Sequence, residues 1–171
     1  LVDTVYSASC GGHGEDNDLA WGTRPDAALR GRLDLPETEA KRLPRFAKIG
    51  EDEVAAFLER PLSEAPRPLC ARPRSGQSYY RWRARVTAET ILEKLAGLGP
   101  LREVSVMKRG VSGRVVALRV AGAGGSREVK GELEVRRTLG GLRSALFVLR
   151  PERRGADLSA LEIIGGGFGH G

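Results

Sequence analysis

The chain holds two histidines and two cysteines among its 171 residues, and their spacing points to chemistry. Cys10 and His13 lie three residues apart, with Gly11 and Gly12 between them. Glycines let the backbone turn tightly enough for a thiolate and an imidazole to face one ion, so this spacing suits a zinc knuckle. Two ligands do not complete a site. Cys70, in a proline-rich stretch, and His170, in a closing glycine run, are the remaining candidate ligands, with Cys70 taken to join Cys10 and His13. The same two thiols suit a Cys10–Cys70 disulfide, expected outside a reducing compartment. Two unlinked thiols are the third arrangement, and spacing does not choose among them.

The closing run, Gly166-Gly167-Phe168-Gly169-His170-Gly171, brackets one aromatic ring and one imidazole with glycines. Glycine loses more backbone freedom on ordering than any other residue. Such a run therefore reads as backbone that approaches a ligand or another segment closely. Ser9, Gly11, Gly12 and His13 are expected on one wall of a groove, and Phe168, Gly169 and His170 on the other. Trp21 and Tyr79 are candidates to stack on sugar rings, while Trp82 is expected in the core. Arg143 can present a guanidinium to an anion. Glu15, Asp16 and Asp18 are the carboxylates considered for acid–base work, but a hydrophilic loop is expected to leave them solvated. Ser7 and Ser9 lack the Gly-x-Ser-x-Gly elbow of a hydrolase nucleophile.

Several elements must position these residues. Residues 2–9 alternate and carry β-branched and aromatic side chains, as a strand does, and residues 10–14 read as a tight turn. From 15 to 45 the chain is polar and punctuated by Pro and Gly, and reads mostly as loop. Val54, Phe57 and Leu58 share one face of a short helix over 51–59, ended before Pro61. Four prolines make 60–78 a long loop. Residues 79–86 read as a strand, with Thr87 capping a helix whose stripe is Ile91, Leu92, Leu95 and Leu98. Residues 104–108 and 114–120 form a hairpin turning at 110–113, followed by a strand at 128–130 and a helix at 132–139. Residues 145–149 and 161–164 are buried strands. Strands and helices mix without a βαβ rhythm, so the expected class is α+β, with mixed, mostly antiparallel sheets and a few short helices.

Composition sets the outer bounds. The length suits a single domain over 1–171, with a possible small lobe at 79–150. The formal net charge is +6, but the arginines are scattered rather than gathered. No nucleic-acid-binding motif is present, so nucleic acid is not an expected partner. No apolar run reaches membrane-spanning length. The opening Leu-Val-Asp reads as an internal start, which leaves room for a leader or membrane anchor before it.

The order of these pieces resembles the stage II sporulation protein D family, also described as amidase-enhancer domains. The matching segments are Tyr6-Ser7-Ala8-Ser9-Cys10-Gly11-Gly12-His13, then Trp21, then Cys70 before Tyr80-Arg81-Trp82. Ser112-Gly113-Arg114, Leu142-Arg143-Ser144-Ala145-Leu146-Phe147 and the closing Gly-Gly-Phe-Gly-His-Gly complete the series. The resemblance implies lytic transglycosylase cleavage of peptidoglycan glycan strands after an amidase has stripped their peptides, in the cell wall or on the outer face of the membrane. It implies one glutamate acting as acid and then base, in a helix upstream of the Tyr-Ser motif that ends in Ala-Arg-Thr-Tyr. Nothing in this sequence corresponds to that helix or to the Val-Gly-Met-Ser-Gln segment that follows the glycine run in the family. The chain is therefore expected to be such a domain shortened at both ends, with no catalytic residue of its own. Some relatives in that family carry zinc near the Cys-Gly-Gly turn, which implies a structural zinc here. The alternative is a non-catalytic module that binds cell wall or enhances an amidase.

Overall fold

The computed structural model of the protein describes residues 7–22, 24–71 and 77–169. In chain order the elements are α1 (Asn17–Trp21), α2 (Glu37–Ala40), α3 (Glu51–Glu59), α4 (Gln77–Tyr80), β1 (Arg81–Thr87), α5 (Ala88–Leu92), β2 (Leu101–Arg109), β3 (Val115–Gly122), β4 (Gly125–Lys130), α6 (Glu132–Thr138), β5 (Phe147–Arg154) and β6 (Asp157–Gly166). They form two three-stranded antiparallel sheets, ordered β1-β6-β5 and β2-β3-β4. This is the α+β class expected from the sequence. No helix among the described residues is long and apolar enough to cross a membrane.

Local sequence explains the best-defined elements. In α3 the spacing of Val54, Phe57 and Leu58 buries all three on one side. Its first turn carries Glu51, Asp52 and Glu53, which suits the positive end of the helix dipole. The Glu53 side chain also accepts the Gly50 N–H at 3.2 Å. Thr87 caps α5, its hydroxyl accepting from Thr90 N. The helix ends at Leu92 rather than continuing to Leu98, and further on Gly97 and Gly99 take positive φ before the chain enters β2. In the 15–45 stretch, α1, α2 and a 3-10 turn at Pro44–Phe46 stand where the sequence reads as loop. Elements this short carry no apolar periodicity to reveal them. Tyr79 and Tyr80 close α4, so β1 begins two residues later than the alternation suggests. The strand expected at 2–9 lies largely outside the described residues, although Ser9 makes an isolated bridge with Phe168.

Two apolar clusters hold the fold. The larger unites both sheets with α5 and α6, and includes Trp82, Leu101, Leu118, Val135, Phe147 and Leu161. Residues 79–150 contribute most of it, but Leu158, Leu161 and Ile163 of β6 complete it. The smaller cluster packs Leu33, Phe46, Ile49, Val54, Phe57 and Leu58 against Leu146. That second cluster fixes the N-terminal loops to the sheet edge. Each such side chain contributes roughly 1.5–3 kcal/mol when removed from water.

Candidate functional site

The two glycine corners pack directly on each other. Ser9 and Phe168 exchange backbone hydrogen bonds, Ser9 N to Phe168 O at 3.2 Å and Phe168 N to Ser9 O at 2.8 Å. Gly11, at φ +70°, sits so close that a Cβ there would lie 2.7 Å from Gly167 N. Any larger residue would push the corners apart. Three side chains pin the junction. Trp82 Nε1 donates to Gly167 O at 2.8 Å, Ser144 Oγ to Gly166 O at 2.7 Å, and Arg81 Nη1 to Gly11 O at 2.8 Å. The Arg81 guanidinium also lies 4.0 Å from the Tyr80 ring centre, a cation–π contact.

Outward from this junction stand two aromatic rings. Tyr79 and Phe168 are 42% and 39% exposed, and their ring centres lie 5.1 Å apart, tilted by 56°. Arg143 is exposed, and its carbonyl accepts the Gly169 N–H at 2.9 Å. The structure thus brings Ser9, Gly11, Tyr79, Arg143, Phe168 and Gly169 to one region. His170 lies outside the described residues. Trp21 belongs to another feature, a cleft of about 1020 Å³ whose lining includes Cys10, Glu15, Arg30, Asp34 and Leu69.

His13 occupies a different setting from the one its position suggests. It has no exposed surface. Its Nδ1 lies 2.7 Å from Gly14 O and its Nε2 3.2 Å from Ala47 O. Burial holds its pKa below the ordinary histidine value. The cause is local: His13 bridges to Leu33, and this bridge carries the ring beneath Ala47 instead of toward a groove or an ion.

The third partner of the two thiols is Asp34. Cys10, Asp34 and Cys70 offer ligand atoms that all lie within 4.8 Å of one another, a group able to hold a metal ion. Cys10 Sγ and Cys70 Sγ are 3.1 Å apart. Asp34 Oδ2 accepts the Cys70 N–H at 2.6 Å, and Asp34 O accepts the Leu69 N–H at 3.0 Å. On the other side, Gly12 N donates to Cys10 Sγ at 3.3 Å. The hydrogen bond from Cys70 lowers the pKa of Cys10, helped by Gly12 N–H and the Arg114 charge against burial and Asp34. The same bond, then burial, pushes the Cys70 thiol up. One sulfur is thus biased toward thiolate and the other toward thiol. Two thiolates and a carboxylate form a zinc-type donor set. The sequence holds one trace of Asp34: it stands between Leu33 and Leu35, where alternation turns it away from buried Leu33.

Glu15 and Arg114 form a buried polar support that sequence reading assigns to solvent or to a turn. Glu15 accepts from Ser112 Oγ at 2.6 Å, Asp16 N at 2.8 Å and Val111 N at 3.0 Å. Gly110 leaves space for this carboxylate, since a Cβ there would collide with it. Arg114, fully buried, donates to His13 O at 2.9 Å, Ser112 Oγ at 2.9 Å and Cys10 O at 2.8 Å. Asp16 and Asp18 pair with Arg30. None of the three carboxylates is the freely solvated group that loop composition suggests. The burial of Glu15 follows from long-range packing against 110–112, which local hydrophilicity cannot show.

No curated protein and no solved structure matches the chain. One family model does, described as a domain of unknown function (DUF8618), over residues 20–171. That span takes in Asp34, Cys70, the Tyr79–Phe168 pair and both sheets. The chain belongs to the DUF8618 family.

Proposed function

We propose that this chain binds the glycan strands of bacterial peptidoglycan, with sugar rings stacking on Tyr79 and Phe168. The observation that carries this reading is the exposed, 5.1 Å aromatic pair set at the meeting of the two glycine corners. Two large rings left half open to water form an apolar platform, and a tyrosine adds a polar tip, a combination that suits the apolar face and hydroxyl rim of a sugar. Arg143 is the cation proposed for the lactyl carboxylate of muramic acid. The sequence resemblance supports the same substrate. In this reading the protein acts in the cell envelope, on strands stripped by an amidase. The longer-range proposal is lytic transglycosylase cleavage, with one glutamate as acid and then base.

A second reading, a non-catalytic wall-binding or amidase-enhancing module, has its own support. Glu15, Asp16 and Asp18 are each engaged by structural partners, which suits binding rather than bond cleavage by these groups. A structural zinc is proposed at Cys10, Asp34 and Cys70, where it would clamp the 34 and 70 segments to the first glycine corner.

Affinity for amidase-treated glycan strands, measured by calorimetry, tests the platform. Tyr79→Ala and Phe168→Ala are each expected to weaken binding roughly 2- to 10-fold, the worth of one aromatic contact. Binding equal to the unmodified chain in both variants would overturn the reading.

A further inference from the structure

We infer that Cys10 and Cys70 are a reversible thiol–disulfide pair, a redox clasp between the first glycine corner and the 69–70 segment. The inference does not depend on the glycan reading. The two sulfurs come from positions 60 residues apart and stand 3.1 Å from each other. A disulfide requires about 2.05 Å, so closure needs only about 1 Å of sulfur movement. The backbone is already fixed on both sides: Arg114 Nη2 donates to Cys10 O at 2.8 Å, Asp34 N donates to Gly12 O at 3.0 Å, and Asp34 accepts from Leu69 N and Cys70 N.

Access and partner choice point the same way. Both residues are only partly buried, and Cys10 lines the 1020 Å³ cleft, so a small disulfide can reach it. The chain has no other cysteine, so each thiol has a single partner within the molecule. A metal and a crosslink would move the sulfurs in opposite directions from where they stand. Tetrahedral zinc with Zn–S of about 2.3 Å holds its sulfurs about 3.8 Å apart, whereas oxidation draws them together. The two states are mutually exclusive uses of one pair.

The oxidant is a low-molecular-weight disulfide such as oxidised glutathione. The Cys10 thiolate attacks one of its sulfurs, forming a mixed disulfide and expelling one glutathione thiolate. Cys70, its proton passing to solvent, then attacks the Cys10 sulfur and expels the second glutathione. The protein loses two electrons and the small disulfide gains them, and the two released thiolates take up from solvent the proton Cys70 gives up and the one Cys10 lost on becoming a thiolate.

The test is a redox titration of the chelator-treated chain in graded mixtures of reduced and oxidised glutathione. Samples are acid-quenched and read by intact mass and by thiol counting under denaturing conditions. The expected result is loss of both thiols together in a monomer that carries no glutathione and is restored by reductant. In Cys70→Ser the expected product is a lasting glutathione adduct at Cys10. The inference is overturned if the unmodified chain keeps both thiols in excess oxidised glutathione, stops at a mixed disulfide, or links two chains. Those readings come from the unmodified chain and do not depend on whether the variant folds.

Discussion

His13 is a histidine whose two ring nitrogens both end on carbonyl oxygens inside the protein. Burial favours its neutral form, so its folded pKa lies below the ordinary value of 6.5. The sign of the linkage follows. Below that value the unfolded chain binds a proton that the folded chain resists, so stability is present above pH 6.5 and declines as pH falls. Urea unfolding from pH 8 to pH 5 should show a loss of up to about 1.4 kcal/mol per pH unit from this one group. His13→Gln should flatten that slope, and identical slopes in the two proteins would contradict the assignment. At this scale the site was partly legible. The sequence offers Cys10 and Cys70 as a candidate pair because it contains no other cysteine, without choosing among zinc, a disulfide and unlinked thiols. It marks Asp34 only by its place between two leucines, because the approach of Asp34 to the thiols depends on the bridge between His13 and Leu33, which no local pattern encodes. Nor does it mark the burial of Glu15, because a Glu-Asp-Asn-Asp stretch reads as solvated until Ser112 and the backbone around it arrive to bind the carboxylate.

Elements were legible where their own periodicity is long enough to fix them. The helix α3 shows its buried face in three side chains, and the β2–β3 hairpin shows its turn in Gly110 and Gly113. The β5–β6 hairpin extends well beyond its apolar centre. Its outer residues include arginines and glutamates that face solvent, and some pair with the third strand of the sheet, as Glu152 of β5 does with Arg85 of β1. Charge alternation of that kind reads as loop when the partner strand is unknown. Packing between elements depends on one small residue in particular. Gly165 of β6 lies opposite Trp82 of β1, and a Cβ there would collide with the indole ring. Gly165→Ala should therefore destabilise the chain by about 1–3 kcal/mol, the range for overpacking a core, measured as a lower urea midpoint. An unchanged midpoint would mean that Trp82 moves freely, and with it the carbonyl of Gly167 that its Nε1 holds.

Across the described residues, the fold brings two glycine corners that are far apart in sequence into contact. The two sheets share a core, the smaller apolar cluster ties the N-terminal loops to Leu146, and buried Arg114 joins the first corner to the β2–β3 turn. Surface arginines are partly balanced by ion pairs such as Arg83–Glu162 and Arg102–Asp157, which contribute little individually. The meeting of the corners was expected from their glycines, because only residues without a Cβ allow backbones so close. Phe168 and Tyr79 were both candidates to meet a sugar, but their contact with each other was not expected, since Tyr79 reaches the junction from a four-residue helix with no sequence signature. The direct measurement of the central claim is a titration of isotope-labelled protein with peptide-free glycan oligosaccharides, followed by amide resonances. The account predicts that the shifted resonances cluster at Ser9, Tyr79 and residues 168–169. Shifts confined to the cleft around Trp21 and Asp34, or no shifts at saturating oligosaccharide, would contradict it.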